Sequence, residues 1–194
     1  MIMRYLFTII FIILLSSCTQ KRTVQQARRF MKQQIELSLD MKAVWKNRDT
    51  ILTAFLDTPI KLVVWYDSLS CLSCEVSKLH AWNNIVVDAD SLAPWFRIIY
   101  LFTPQKEYLH RLQIVLKTNT FDYPLFIDQN TSFVKQNPML PPNQQLHSFL
   151  LDKNNRVVLV GSPLHNPTLW ALYKRTIKKM IENDGLLPKG NPML

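Results

Sequence analysis

Lys61-Leu62-Val63-Val64-Trp65-Tyr66-Asp67-Ser68-Leu69-Ser70-Cys71-Leu72-Ser73-Cys74 is the stretch around which the rest of the chain is read. After Lys61 it runs through five apolar, β-branched or aromatic residues, the pattern of a strand buried on both faces. Ser68-Leu69-Ser70 then leads into a helix expected from about Cys71 to Asn84. The two cysteines, spaced by two residues, therefore fall at a helix head. A thiol there feels the positive end of the helix dipole and unbonded amides. That stabilises thiolate and can lower the thiol pKa from about 8.5 to between about 3.5 and 7.5. Thiolate is the attacking species, and a second cysteine one turn further on can resolve the mixed disulfide. Helix geometry places Cys71 outward and Cys74 beneath it, against the sheet. Two other readings stay open: a structural disulfide that staples the helix start, and metal binding.

Downstream, Arg97 to Phe102 reads as a second buried strand. Thr103-Pro104 reads as a helix start, with Thr as cap and Pro at the first helical position. Tyr108, Leu109, Leu112, Val115 and Leu116 form the apolar stripe of that helix, and Pro124 to Asp128 reads as a short strand. His147 to Leu151 and Arg156 to Val160 make a hairpin around the polar turn Asp152-Lys153-Asn154-Asn155. Asn166-Pro167 starts a final helix that ends at Gly185, placed as its C′ residue. Val63, Val64, Ile98, Ile99, Phe149, Leu151, Val158 and Val160 are the expected core of the central strands.

The order β-α-β-α-β-β-α, with a C-x-x-C after the first main strand, resembles the thioredoxin fold. Val63 to Cys74 is similar to the strand-to-site stretch of thioredoxin-like lipoproteins of the Bacteroidota type. Phe149-Leu150-Leu151-Asp152, Asn155-Arg156-Val157-Val158 and Gly161 resemble the late hairpin of that group, which includes TlpA and ResA. The resemblance covers about residues 60–182. It implies an α/β domain with a central mixed sheet, flanking helices and a late β-hairpin. It further implies thiol–disulfide exchange with a protein partner, Cys71 attacking and Cys74 resolving, and no cofactor. Ser162 to Pro167 resembles a recurrent loop of the same lipoproteins. Two residues depart from the pattern. Leu146 stands where these domains carry a cis-proline, and it is expected trans, since a non-proline cis bond costs about 2.5–4 kcal/mol. Glu75 beside the pair should raise the thiol pKa slightly.

Few other residues compete with the cysteines. Asp67, four residues before Cys71, is either a proton acceptor or a turn residue, and His165 is expected to line the site. His80, His110, His147 and His165 invite a metal reading. The cysteine spacing fits copper-carrying relatives poorly, so no metal is assigned. Three glycines against eleven prolines leave no G-x-x-x-x-G-K or G-x-G-x-x-G phosphate loop. A runner-up function is a non-enzymatic binding or scaffold protein with a structural Cys71–Cys74 bond.

The first residues set the compartment. Arg4 precedes an apolar run from Tyr5 to Leu15, a secretory signal too short for a transmembrane helix of about 20 residues. Leu15-Ser16-Ser17-Cys18 resembles a lipobox, which implies removal of 1–17 and acylation of Cys18. Residues 18–60 read as a lipid-anchored tether with helical stretches and a piece that packs on the main domain. Residues 61–184 form that domain, and 185–194 a tail. The 23 Lys and Arg against 14 Asp and Glu give a formal charge of +9. In an exported chain this favours an anionic membrane surface over nucleic acid. The expected location is the bacterial cell envelope, with the domain facing the periplasm. Nothing in the sequence sets an oligomeric state.

Overall fold

The computed structural model of the protein describes residues 20–37, 41–46, 48–50, 52–68 and 72–188. The signal segment, Cys18 and Cys71 lie outside the described residues. Residues 20–30 are helical and are labelled α1. Strands β1 (Lys42–Trp45) and β2 (Arg48–Thr50) form a short hairpin. Helix α2 (Thr53–Leu56) leads into β3 (Ile60–Tyr66). Helix α3 (Leu72–Ser77), a 3-10 turn (Leu79–Trp82) and α4 (Asn83–Asp90) connect β3 to β4 (Phe96–Phe102). Then come α5 (Leu109–Thr118), β5 (Leu125–Ile127), α6 (Ser132–Gln136), β6 (Ser148–Leu151), β7 (Val157–Val160) and α7 (Pro167–Glu182).

The strands form one mixed sheet in the order β2-β1-β5-β4-β3-β6-β7. β3 and β4 pair in parallel over their full lengths, and β6 runs antiparallel along the other side of β3. Alternate residues of β3 and β4 feed two cores. Leu62, Val64, Ile98 and Tyr100 face Val76 of α3, Ile85 of α4, Leu112 of α5 and Tyr173 of α7. Val63, Trp65, Ile99 and Leu101 face Phe30 of α1, Leu56 of α2 and Phe133 of α6. Coverage on both faces is why these runs lack polar alternation. Of the eight expected core residues seven are buried, and Val160 on the edge strand is partly exposed.

Four local expectations need correction. In the segment read as a tether, packing on the main domain extends beyond the piece expected around Val44 to Leu56 and includes the first helix. Phe30 and Ile35 are buried, the Phe30 ring meets Phe149 edge-on at 5.1 Å, and β1 pairs with β5. Buried Asn137 clamps the segment by accepting from the Glu36 amide and donating to its carbonyl, at 2.8 and 2.9 Å. The helix expected from 71 to 84 is broken after Ser77. The Ser77 hydroxyl takes the Cys74 carbonyl (2.7 Å) and Asn119 takes the Val76 carbonyl (3.0 Å), competing with the helical ladder. Thr103 is not a helix cap. Its amide continues the ladder to Tyr66 O at 3.0 Å and its hydroxyl accepts from Trp65 Nε1 at 2.9 Å. The helix after it starts only at Lys106, as a 3-10 turn. At the chain's last helix, Asn166 caps Leu169 N and Pro167 opens the first turn, as read. Its stop differs by one position: Asp184 (φ 52°) takes the left-handed C′ place, while Gly185 closes the six-residue ring to Met180 O at 2.7 Å.

Candidate functional site

β3 is where the sheet changes direction, with a parallel neighbour on one side and an antiparallel one on the other. Ligands of α/β sheets bind beyond the C-terminal ends of their strands, where the strand order switches. A cavity of about 200 Å³ occupies that position. Trp65 and Tyr66 of β3 form its floor, and Glu75 and Lys78 contribute from α3 and the residue after it. Gln144 and His147 close it from the turn before β6, and Ser162 and Leu164 from the loop after β7. Glu75, the neighbour of Cys74, thus lines a cavity built from four separate parts of the chain.

Cys74 lies in the first half of α3 and is disulfide-bonded. It is exposed, not sheltered beneath the helix as helix geometry alone suggested. The helix period explains the difference. Val76, two residues on, is fully buried in the core, so a side chain about 200° away around the axis faces solvent. The expected outward placement of Cys71 lies outside the described residues. Glu75 is paired with Lys78 Nζ at 3.3 Å, which offsets its charge beside the cysteines. The Tyr66 phenol is pushed well above its ordinary pKa, chiefly by burial and further by Glu75.

Asp67 and His147 meet behind the cavity wall. The antiparallel register Val64↔Ser148 sets Trp65 against His147, and Trp65 N donates to His147 O at 2.8 Å. The imidazole lies against the Trp65 ring, centroids 4.0 Å apart. His147 Nε2 stands 2.9 Å from the Pro141 carbonyl, and Nδ1 stands 3.9 Å from Asp67 Oδ2. Gln144 Nε2 donates to both Asp67 oxygens, at 3.0 and 3.2 Å. Burial holds the His147 pKa below its usual 6.5, against the opposing pull of the Pro141 carbonyl and Asp67.

The remaining sequence candidates are placed as follows. Leu146 is buried in the 3-10 turn Gln144–Leu146 and does not line the cavity. Its peptide bond is trans, for among the described residues the cis bond is Ala93–Pro94. His165 is exposed at φ 58° and stays out of the cavity, which its loop reaches through Ser162 and Leu164 instead. His80 sits by Thr120, 3.2 Å away, and His110 is exposed. Among the described residues, no three His, Cys, Asp or Glu side chains gather as a metal site. Sequence reading missed the Asp67–Gln144–His147 cluster. The β3–β6 register, which sets residues before Ser148 against those after Val64, brings them together, and it is a long-range pairing that the sequence does not display.

No protein-family model matches the sequence, and no curated protein matches it. Solved structures do resemble it. AhpC of Enterococcus faecalis aligns at 13% identity over 82% of this chain and 99% of its own, with a TM-score of 0.50. The fold is thioredoxin-like. Peroxiredoxin Q of Xanthomonas campestris aligns at 14% identity over 76% of this chain and 99% of its own, also at 0.50. A thioredoxin-like protein of Porphyromonas gingivalis aligns at 12% over 77% and 94%, at 0.44. At these identities the likeness concerns the thioredoxin-like architecture alone.

Proposed function

We propose that this thioredoxin-like protein is a lipid-anchored thiol–disulfide oxidoreductase of the bacterial cell envelope, facing the periplasm. The Cys71 thiolate attacks one sulfur of a partner disulfide, and the partner's other sulfur leaves as a thiolate. Cys74 then attacks the Cys71 sulfur of the mixed disulfide and displaces the partner. The pair ends as an internal disulfide and the partner as a dithiol, with two electrons passed to the partner; the reverse sequence oxidises it. The carrying observation is the exposed disulfide at Cys74, beside a cavity at the end of β3. Exposed disulfides hold higher potentials and are the labile, catalytic ones, while structural bonds resist reduction. The lipid anchor rests on Leu15-Ser16-Ser17-Cys18.

Equilibration with glutathione should give a potential between about −120 and −270 mV. A Cys74→Ser variant should hold a partner as a mixed disulfide. The competing reading is a scaffold with a structural disulfide, which the trans Leu146 in the cis-proline slot favours. A potential below about −300 mV, with no trapped partner, would leave that reading in place. For the anchor, Cys18→Ala should leave an unprocessed, unacylated precursor.

A further inference from the structure

The start of α1 lies at the cavity end of the molecule. Asn143 Nδ2 donates to Thr23 Oγ1 at 3.1 Å. The same Asn143 caps the 3-10 turn that carries Gln144 into the cavity wall, its Oδ1 accepting from Gln145 N. The direction of α1 is fixed at its other end. Phe30 packs on Phe149, and Lys32 N donates to Val157 O, at the end of the β6–β7 hairpin remote from the cavity. The chain therefore enters at the cavity and descends along the sheet.

Cys18 precedes Thr23 by five residues. However they are arranged, five residues span at most about 18 Å. The seven residues of β3 alone extend over roughly 20 Å, so an anchor on Cys18 cannot reach the opposite pole as it can the cavity rim. Lys21 and Arg22 are exposed in the first described turn of α1. They add an attraction to anionic headgroups at that same end.

We infer that the exchange site is held at the bilayer surface and serves disulfides or dithiols of membrane-borne proteins, reached within about two nanometres of the anchor. The inference rests on the lipidated, exchanging protein proposed above. A short tether attached beside the site gives a membrane-bound disulfide a high effective concentration, which a longer tether dilutes. A tether attached at the far pole would do the opposite, since lengthening it would let the site reach the surface.

The test uses the full lipidated chain, reduced, on phosphatidylcholine vesicles. A fraction of phosphatidylethanolamine carries a pyridyl disulfide on its headgroup. Attack by the protein thiolate releases pyridine-2-thione, which is read by absorbance, and leaves the lipid thiol in a mixed disulfide that the second cysteine resolves. A second protein carries about 30 Gly and Ser residues between Thr19 and Gln20. The insertion should slow the headgroup reaction roughly tenfold and leave the rate with soluble dipyridyl disulfide unchanged. An equal or faster headgroup reaction overturns the inference while leaving the proposed function intact. A chain that fails to float with vesicles overturns the lipid anchor. A Cys71→Ser protein as reactive as the parent overturns the exchange chemistry. Either result removes the inference with its basis.

Discussion

His147 carries a proton on Nε2, because the Pro141 carbonyl 2.9 Å away can only accept. Its Nδ1 then faces Asp67 with a lone pair when neutral and with a proton when charged. Burial depresses the folded-state pKa, so below about pH 6.5 the unfolded chain takes up a proton that the folded chain resists. Stability contributed by the neutral ring is present above pH 6.5 and is lost as pH falls toward the folded value. His147→Gln should flatten that part of the stability profile between about pH 7 and 5, followed by denaturant unfolding at each pH. An unchanged slope would remove His147 from the account. Lys61 gives a second titration of the same sign at higher pH. It is buried in β3, donates to Thr58 O at 2.6 Å, and burial lowers its pKa to about 8, with Asp57 and Asp152 opposing. Between pH 8 and its usual 10.5 the unfolded chain holds more protons, so stability rises with pH there. Lys61→Met should stabilise the protein by about 1–3 kcal/mol at pH 7, the gain shrinking above pH 8. A loss of stability at pH 7 would show that the buried ammonium is fully compensated. In the sequence His147 drew attention only as one of four candidate metal-binding histidines, and Lys61 drew none. Lys61 begins a strand run and His147 precedes one, and only strand register reveals what each faces.

The elements that could be read from sequence are those that carry their own signal. β3 and β4 are unbroken apolar runs buried on both faces, and the β6–β7 hairpin brackets a turn closed by Asp152 Oδ1, which accepts from Asn154 and Arg156 amides at 2.9 Å. The α7 start was legible because Asn166 and Pro167 act locally. β1 and β2 were not, being short, with β1 held by pairing with β5, a contact about 80 residues away in sequence, and β2 held only on β1. The break in the helix after β3 likewise depends on Asn119, from beyond α5. The same logic explains α1. Its sequence is mostly polar, and its place is set by Phe30, which is 2% exposed. Phe30→Ala should therefore cost about 3–5 kcal/mol, a core-like loss, measured by chemical denaturation. A loss under about 1 kcal/mol would mean that α1 is a tether after all.

At the scale of the molecule, charge and chain path act together. Two basic pairs, Lys21–Arg22 and Arg28–Arg29, lie exposed along α1, on the sheet face opposite α7. No helix among the described residues is long and apolar enough to cross a membrane. Each Lys or Arg near an anionic surface adds about 1 kcal/mol, an attraction that vanishes beyond a Debye length. A soluble chain starting at Thr19, lacking acyl groups, should bind phosphatidylserine-rich vesicles weakly at low ionic strength and dissociate in 1 M salt, where the Debye length is about 3 Å. Replacing the four residues by Gln should weaken binding roughly tenfold, since even a third of the nominal attraction is about 1.3 kcal/mol, close to the ~1.4 kcal/mol of a tenfold change. All four side chains are exposed and outside the core, so thermal stability should stay within about 0.5 kcal/mol of the parent. Co-sedimentation with vesicles of graded phosphatidylserine content measures both effects. Binding that is equal on neutral and anionic vesicles, or indifferent to the four substitutions, would reduce these residues to a solvated helix face. In the lipid-anchored protein proposed above, the acyl chains alone would then hold the domain, leaving its rotation over the bilayer to the short connection at Thr23.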